Sequence, residues 1–479
     1  VKPDEVIVRP TLLGPHLDGK LWYPSLLAAH AAIVARLCKK PALLLLSREE
    51  DFLYTTKRTP MLCSVQASID ENGKLLAMDA RVALNIGAYG PLAKAILERS
   101  VETLSGMYAC DHVRIRASAV STNLPPMGAF AGLGAMNLSF ARERLADECA
   151  TAAGLDPARW RMENLRGSAK KKQTAWTELE QKLLSSSDFG RKHSAYELMR
   201  KRRDDPKRAS GFGIGLAFAA QPGAAETPGA GARVEVELSK DLRLSIATSA
   251  LPGTSGTAQV WKAEAANIIG IDEAAVSIAP VSTDMVPDSG PASSSRGVAI
   301  ISRLIVQACE TIRERRFREG LPIRVAKSHR ASKSQVGDYG SWAGAVVELR
   351  LDPLDRRPIV RGVWIAAKAG RILSQARAEA SLARDASVAI GLCLAERLNL
   401  STPASTPEFL GYQLHRLKDK MPIHAFMLDS PEQPYPSGIG ELAYLTIPAA
   451  YANAMGQALD RSWNTFPGSQ EDSSLKEAE

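Results

Sequence analysis

The run Thr122-Asn123-Leu124-Pro125-Pro126-Met127-Gly128-Ala129-Phe130-Ala131-Gly132-Leu133-Gly134 leads straight into a long helical pattern from Asn137 to Ala153. Small residues between a strand and a helix let main chain come very close to a ligand. Any fold of this chain must therefore accommodate a loop nearly devoid of side chains at the entrance of a long helix. A second tight loop, Gly438-Ile439-Gly440-Glu441, stands near the far end, ahead of the apolar stretch Leu442 to Pro448.

A chain of 479 residues exceeds what one core can hold, and about two to four lobes are expected. Its longest pure apolar stretch, Ala42 to Leu46, is far too short to span a bilayer and reads as a buried strand. Residue 1 is Val and the opening residues mix charged and apolar types, so no signal peptide is visible and the chain reads as a fragment or a processed product.

The net charge of +8 is concentrated in Lys170-Lys171-Lys172, Arg200 to Arg203 with Lys207-Arg208, and Arg313 to Arg318. These runs lack interleaved aromatics and often stand beside Asp or Glu. They read as solvated faces or a linker, not as a nucleic-acid surface, with a docking face for an acidic partner as the other possibility. The cysteines Cys38, Cys63, Cys110, Cys149, Cys309 and Cys393 include no CxxC pair. Neither zinc nor an iron–sulfur cluster can be read from them, and mostly apolar surroundings predict reduced core thiols in a reducing, cytoplasmic compartment. No second His or Cys stands at ligand spacing from His16, so it reads as a loop or cap residue.

Periodicity predicts a helix over Leu26–Leu37, then a hairpin of Cys63–Ile69 and Leu75–Leu84 closed by Asp70-Glu71-Asn72-Gly73-Lys74. Leu92–Ser100 reads as helix and His112–Val120 as strand, and Pro157 opens a short helix. Ser168 to Ser210 is polar and basic and reads as a helical connector or a surface excursion. Strands are then expected at Arg233–Leu238, Arg243–Ala247, Ala275–Pro280, Ala345–Leu351 and Val360–Ala367, with helices at Thr257–Ile269, Ile300–Arg318 and Ile447–Arg461. Gly211-Phe212-Gly213-Ile214-Gly215 is not a dinucleotide loop: Leu216 stands where the third glycine belongs, and no strand precedes it. It reads as a small-residue strand that admits close backbone approach. The mixture without strict alternation is an α+β pattern.

Glu441 follows a Gly-Ile-Gly turn and precedes an apolar run. With few polar neighbours its carboxylate would be pushed toward general-base values, or it is simply a glutamate favoured at a helix start. Arg99, in Ala95-Ile96-Leu97-Glu98-Arg99-Ser100, either serves a ligand or pairs with Glu98 or Glu102 on a helix surface. The loop Ser282 to Ser295, Ser-Thr-Asp-Met-Val-Pro-Asp-Ser-Gly-Pro-Ala-Ser-Ser-Ser, could offer backbone N–H groups to an anion ahead of the helix at Ile300.

Together these segments resemble the molybdenum hydroxylase family of xanthine dehydrogenase and aldehyde oxidoreductase, from about Gly14 to Gln457, in the later part of the family's large subunit. Arg144-Leu145-Ala146-Asp147-Glu148 and Arg161-Met162-Glu163-Asn164-Leu165 fit as well. The resemblance implies a two-lobed molybdopterin-binding α+β fold. Its parts are a first lobe over 1–168, a basic connector over 169–210, a second lobe over 211–462 and a disordered tail over 463–479. It implies that loops around Gly132, Ser294 and Glu441 meet in a cleft. Glu441 would be the catalytic base and Arg99 would orient a purine-like or N-heteroaromatic substrate (or an aldehyde), with Leu133 and Leu21 at substrate positions. Ala131, Gly132, Gly253, Thr254, Ser293, Ser294, Ser295 and Gly440 would contact molybdopterin and its Mo, with no metal ligand from the chain. Iron–sulfur and FAD centres would lie on partner subunits or in the missing early part of the large subunit.

Several positions depart from the family's motifs. The Gly-Gly-Gly-Phe-Gly-Gly-Lys-Glu loop is Gly14-Pro15-His16-Leu17-Asp18-Gly19-Lys20-Leu21 here, with leucine in place of the substrate-contacting glutamate. Phe-Arg-Gly-Phe-Gly is Phe130-Ala131-Gly132-Leu133-Gly134, without the arginine and the stacking aromatic. A pterin-contacting Gly-Gln-Gly falls at Gly253-Thr254-Ser255, and a later pterin-contacting glutamine falls near Ser381. Two readings follow: a molybdopterin-dependent hydroxylase subunit, or a degenerate, cofactor-free paralogue with a structural or assembly role.

Overall fold

The computed structural model describes residues 2, 5–11, 14, 17, 19–166, 170–201, 211–222, 231–253, 256–290, 293, 295–329, 339–398, 412–416, 419, 421–430 and 433–467. In chain order the elements begin α1 (Tyr23–Cys38), α2 (Arg48–Tyr54), β1 (Lys57–Arg58), β2 (Met61–Ile69), β3 (Leu75–Gly87) and α3 (Ala93–Gly106). They continue through β4 (His112–Ser121), β5 (Met127–Gly128), α4 (Ala135–Ala152), α5 (Pro157–Asn164), α6 (Lys170–Ser187) and α7 (Phe189–Lys201). Then come β6 (Phe212–Pro222), β7 (Ala232–Leu238), β8 (Leu244–Ala247), α8 (Thr257–Ile269), β9 (Val276–Ile278), α9 (Ser302–Arg315) and β10 (Ile323–His329). The chain closes with β11 (Tyr339–Leu351), β12 (Pro358–Lys368), α10 (Gln375–Leu394), β13 (Ile423–Leu428) and α11 (Leu442–Leu459).

The first hairpin forms because Asp70 accepts the amides of Asn72 and Lys74 at 2.9 and 2.8 Å, and Gly73 turns the chain at φ +82°. β2 and β3 pair antiparallel, β4 joins β3 in parallel, and α3 and α4 cover the sheet through Met78, Val82, Leu104 and Leu138. A second sheet, ordered β10-β7-β8-β9, carries α8 and α9 and has its own core around Trp261, Ile300 and Ile305.

The third sheet, ordered β13-β12-β11-β6, is the centre of the molecule. α11 lies on it with nearly its whole circumference buried. The glycines of β6 permit this: a Cβ on Gly213 would lie 1.9 Å from Ala454 O, and one on Gly215 would lie 2.1 Å from Ala450 O. The strand that mimicked a dinucleotide loop is thus the bed of a helix. On the opposite face α6 and α7 bury Trp176, Leu179, Leu183 and Phe189, so the basic 170–201 segment is helical and packed into the core.

Other expectations change. Ala42–Leu46 forms no strand and is largely open to solvent, with Leu43 89% and Leu45 80% exposed, and α1 buries no residue. An apolar run supplies the surface of a buried strand but not the neighbours that would bury it. Cys38 is likewise exposed, whereas Cys149, Cys309 and Cys393 are core thiols. The start of the expected tail is docked: Trp463 is buried and the Phe466 ring lies 5.8 Å from Phe140, while 468–479 fall outside the described residues. Among the described residues no helix is long and apolar enough to cross a membrane.

α4 meets its neighbours through charge as well as apolar surface. Glu143, fully buried, accepts from Arg142 Nε (3.0 Å), Arg161 Nε (2.9 Å), Tyr108 Oη (2.9 Å) and the Phe218 amide (2.9 Å). Burial pushes its pKa up, but the two guanidiniums and the donated hydrogen bonds outweigh burial and hold it below the usual carboxylate value. Glu143→Gln is expected to cost about 3–5 kcal/mol at neutral pH, because two buried guanidiniums lose their counter-charge. Since the folded pKa is depressed, that contribution is fully present above the unfolded carboxylate pKa. It fades as pH falls through the folded value, so the gap between wild type and variant in urea denaturation should narrow on acidification.

Candidate active site

The loop entering α4 is the first wall of the site. Ala131, Gly132, Leu133 and Gly134 all take positive φ, at +24, +92, +44 and +85°. For Ala131 and Leu133 this costs on the order of 1 kcal/mol each, which the surroundings must repay. The Ala131 amide donates to Leu17 O at 2.6 Å, and Arg58 Nη1 donates to Ala131 O at 3.3 Å with its guanidinium 5.0 Å from the Phe130 ring centre. Burial pulls the Arg58 guanidinium down to about 10. A Cβ on Gly134 would stand 2.5 Å from Ser100 Oγ, so this glycine seats the loop directly on α3.

The second wall is the loop before α11. Gly438 takes φ +88°, and a Cβ there would lie 2.1 Å from Ser295 Cβ. Its carbonyl accepts from Ser341 Oγ at 2.7 Å and Gln221 Nε2 at 3.4 Å, and the Gly440 amide donates to Ser295 Oγ at 3.2 Å. Glu441 follows as the N-cap residue of α11, 4% exposed, with the positive end of that helix behind it.

Arg99 reaches this carboxylate from α3: Nη2 donates to Glu441 Oε2 at 3.2 Å, while Nη1 stands 3.8 Å from Glu102. Glu98 pairs instead with Lys94 at 3.8 Å. The expectation of a Glu441 carboxylate with few polar neighbours is therefore corrected. Its partner lies 342 residues away in sequence, where no local pattern could reveal it.

Ala131, Ser293, Ser295, Gly440 and Glu441 line one cleft of about 250 Å³. α8 contributes Thr257, Val260 and Trp261, and α10 contributes a face bearing Arg377, Ser381, Arg384 and Asp385, with Ser374 just ahead of it. Gly132 is buried in the loop, where a Cβ would face Leu445 at 3.5 Å. Leu133 is half-buried and does not line the cleft. Gly253, at φ +57°, adjoins the lining residue Pro252. Leu21 is 42% exposed and away from the lining. Thr254, Ser294 and His16 fall outside the described residues.

Of the polar face of α10, sequence reasoning reached only Ser381, through the resemblance. Arg377, Ser381, Arg384 and Asp385 recur at helical spacing, a signal that was available in the chain. Asp385 is 3% exposed, and Arg384 Nε and Nη2 both donate to its Oδ1, at 3.0 and 2.9 Å. Burial raises its pKa against the lowering effect of Arg384. Among the described residues no group of three or more His, Cys, Asp or Glu could hold a metal ion.

Models of the molybdopterin cofactor-binding domain match residues 2–165 and 189–321, together more than half of the chain. The aldehyde oxidoreductase of Megalodesulfovibrio gigas is 23% identical over 492 residues, covering 96% of this chain and 53% of its own length. The xanthine dehydrogenase/oxidase of Mus musculus is 25% identical over 334 residues, which is 66% of this chain and 24% of that protein. Among solved structures, quinoline 2-oxidoreductase from Pseudomonas putida 86 superposes with a TM-score of 0.82 at 19% identity, covering 97% of this chain and 68% of its own. The chain belongs to the molybdenum hydroxylase family, and it spans about half the length of the aldehyde oxidoreductase and less of the mouse protein.

The seating of Gly438 on Ser295 is open to test. Gly438→Ala is expected to cost more than the roughly 1 kcal/mol of left-handed strain alone. The same change at Gly154, φ +66° with nothing within 4 Å, should cost only the strain. Thermal denaturation of the two variants measures the difference.

Proposed function

We propose that this chain is the molybdopterin-binding subunit of an oxidoreductase that hydroxylates a purine-like or N-heteroaromatic substrate, or an aldehyde, with oxygen derived from water. The observation that carries the reading is the place of Glu441, at the N-terminus of α11, in a cleft that Ala131, Ser293, Ser295 and Gly440 also line.

The donor set of the cleft fits a phosphate-bearing heterocycle. Arg371, Arg377 and Arg384 provide cationic donors, Ser293, Ser295, Ser374 and Ser381 provide hydroxyls, and Val260, Trp261, Ile372 and Met427 provide apolar walls. In this reading Ala131, Ser293, Ser295 and Gly440, which line the cleft, contact the cofactor. When bound, the molybdenum cofactor supplies oxygen transfer and accepts the two electrons released. Glu441, desolvated and fixed at a helix N-terminus, takes the proton in the cleft. Arg99, anchored by Glu102, holds a polar ring atom of the substrate by a charge-assisted hydrogen bond. Electrons leave to iron–sulfur and FAD centres on partner subunits, and the exposed apolar surface of α1 and Ala42–Leu46 supports such association.

One observation favours the cofactor-free paralogue: Arg99 already has carboxylates at 3.2 and 3.8 Å without any substrate. Molybdenum analysis of the native complex separates the two. Stoichiometric metal tracking with this chain supports the hydroxylase, and its absence from an intact complex supports the paralogue.

Glu441→Gln is expected to keep fold and cofactor content while lowering turnover about 10²–10⁴-fold, the worth of a positioned base; unchanged turnover would remove Glu441 from the mechanism. Arg99→Lys should weaken kcat/KM by about 1–3 kcal/mol. A role confined to the ion pairs would leave kcat/KM untouched and show only in stability.

A further inference from the structure

The sheet β2-β3-β4 turns one face to α3 and α4 and the other outward, and the outward face carries an excess of positive charge. Asp79 and Arg81 stand on it in β3, and the parallel register sets Arg114 beside Asp79 and Arg116 beside Arg81. Arg114 and Arg116 both donate to Asp79 Oδ2, the second at 3.4 Å. Asp79 is the only carboxylate on the three strands, so three guanidiniums share one counter-charge. The Arg114 and Arg116 side chains remain 66% and 52% exposed, with donors to spare for another acceptor.

The edge beside these arginines is open. Among the described residues no strand pairs with the side of β4 that faces away from β3. Alternate residues of β4 direct main-chain N–H and C=O groups to that side. All of its ten residues except Ile115 and Ala117 are exposed. Val113, beside the buried Met78 on the face toward the helices, is still 40% exposed, and Ala119 is exposed beside the fully buried Leu84. β2, at the other margin of the sheet, keeps every residue of that face half-buried.

An open edge is a template for a further strand, and the side chains along it decide which strand fits. A second copy of β4 would bring its own Arg114 and Arg116 to the same outward face, where like charges across a ladder are destabilising. The repulsion has one sign, so a strand bearing carboxylates is attracted where a second β4 is refused.

We propose that the open edge of β4 takes up an extended acidic segment of a partner protein as an added strand, with its carboxylates over Arg114 and Arg116 and its alternate, apolar residues beside Val113, Ile115 and Ala119. None of these residues lines the cleft, so the proposal is independent of the cofactor reading.

The test is fluorescence anisotropy of the full chain with three end-capped, labelled peptides: Val-Glu-Val-Glu-Val-Glu-Val, its counterpart with lysine for glutamate, and the glutamate peptide with every amide N-methylated. Wild type should bind the first at least about tenfold more tightly than either other, the combined worth of a few exposed cross-strand charge pairs and of the main-chain ladder. The double variant Arg114→Glu/Arg116→Glu should reverse the preference toward the lysine peptide, which also shows that its edge is intact. If that variant does not fold, as read by thermal unfolding, Arg116→Gln alone should weaken binding of the glutamate peptide about threefold. Equal binding of the glutamate and lysine peptides by wild type, or binding of neither, would mean that the arginines only guard the edge, and would overturn the proposal. Undiminished binding of the N-methylated peptide would overturn it too, by leaving charge attraction without a strand. So would a preference that Arg114→Glu/Arg116→Glu, or in its place Arg116→Gln, leaves unchanged.

Discussion

One buried carboxylate ties the chain's segments to one another. Glu143 bonds Arg142 on its own helix, Arg161 on α5, Tyr108 beyond α3 and the main chain of β6. Arg142 extends the network to Thr103 O at 2.8 Å and Phe218 O at 2.9 Å. Apolar packing alone would let α4 slide or rotate against its neighbours at modest cost. A desolvated charge with fixed donors does not, because any displacement leaves ions unpaired in a low-dielectric interior. The orientation of α4 fixes the strained loop at its entrance, and so the first wall of the cleft.

The cleft is assembled by convergence. The α4 entrance brings Ala131, the loop before α9 brings Ser293 and Ser295, and the N-terminus of α11 brings Glu441, which Arg99 of α3 pairs from behind the lining. Two of these loops interlock sterically: Ser295 in a left-handed conformation at φ +59° fits against Gly438, which has no side chain to offer. Glycine there serves docking between distant segments, and flexibility is not what the site draws from it.

Much of this was legible in the chain, for physical reasons that differ by residue. The Asn-Gly hairpin, α8 over Thr257–Ile269 and the proline-led start of α5 follow from local rules. The family resemblance pointed to loops around Gly132, Ser294 and Glu441 meeting in a cleft, and their neighbours Ala131, Ser293, Ser295 and Gly440 line it with Glu441; such motifs carry tertiary information that periodicity lacks. α10 was passed over although Leu382, Ala386, Ala389, Ile390 and Cys393 recur at helical spacing as its buried stripe. The environments of Glu441 and Glu143 were not readable, since each depends on a guanidinium delivered by another helix, Arg99 for Glu441 and Arg161 for Glu143. Ala42–Leu46 shows the opposite limit: composition predicted a buried strand, and the segment is neither in a strand nor buried.

That same segment bears on how the chain behaves in water. Four consecutive leucines, Leu43 to Leu46, lie outside any strand and largely open to solvent, the kind of apolar run from which intermolecular strands grow. The residues around them work against that growth. Lys39, Lys40 and Pro41 precede the run and Arg48, Glu49 and Glu50 follow it, placing charge at both ends of the template and a missing donor at its start. The colloidal behaviour of the chain thus rests on a few flanking side chains that take no part in its core or its cleft.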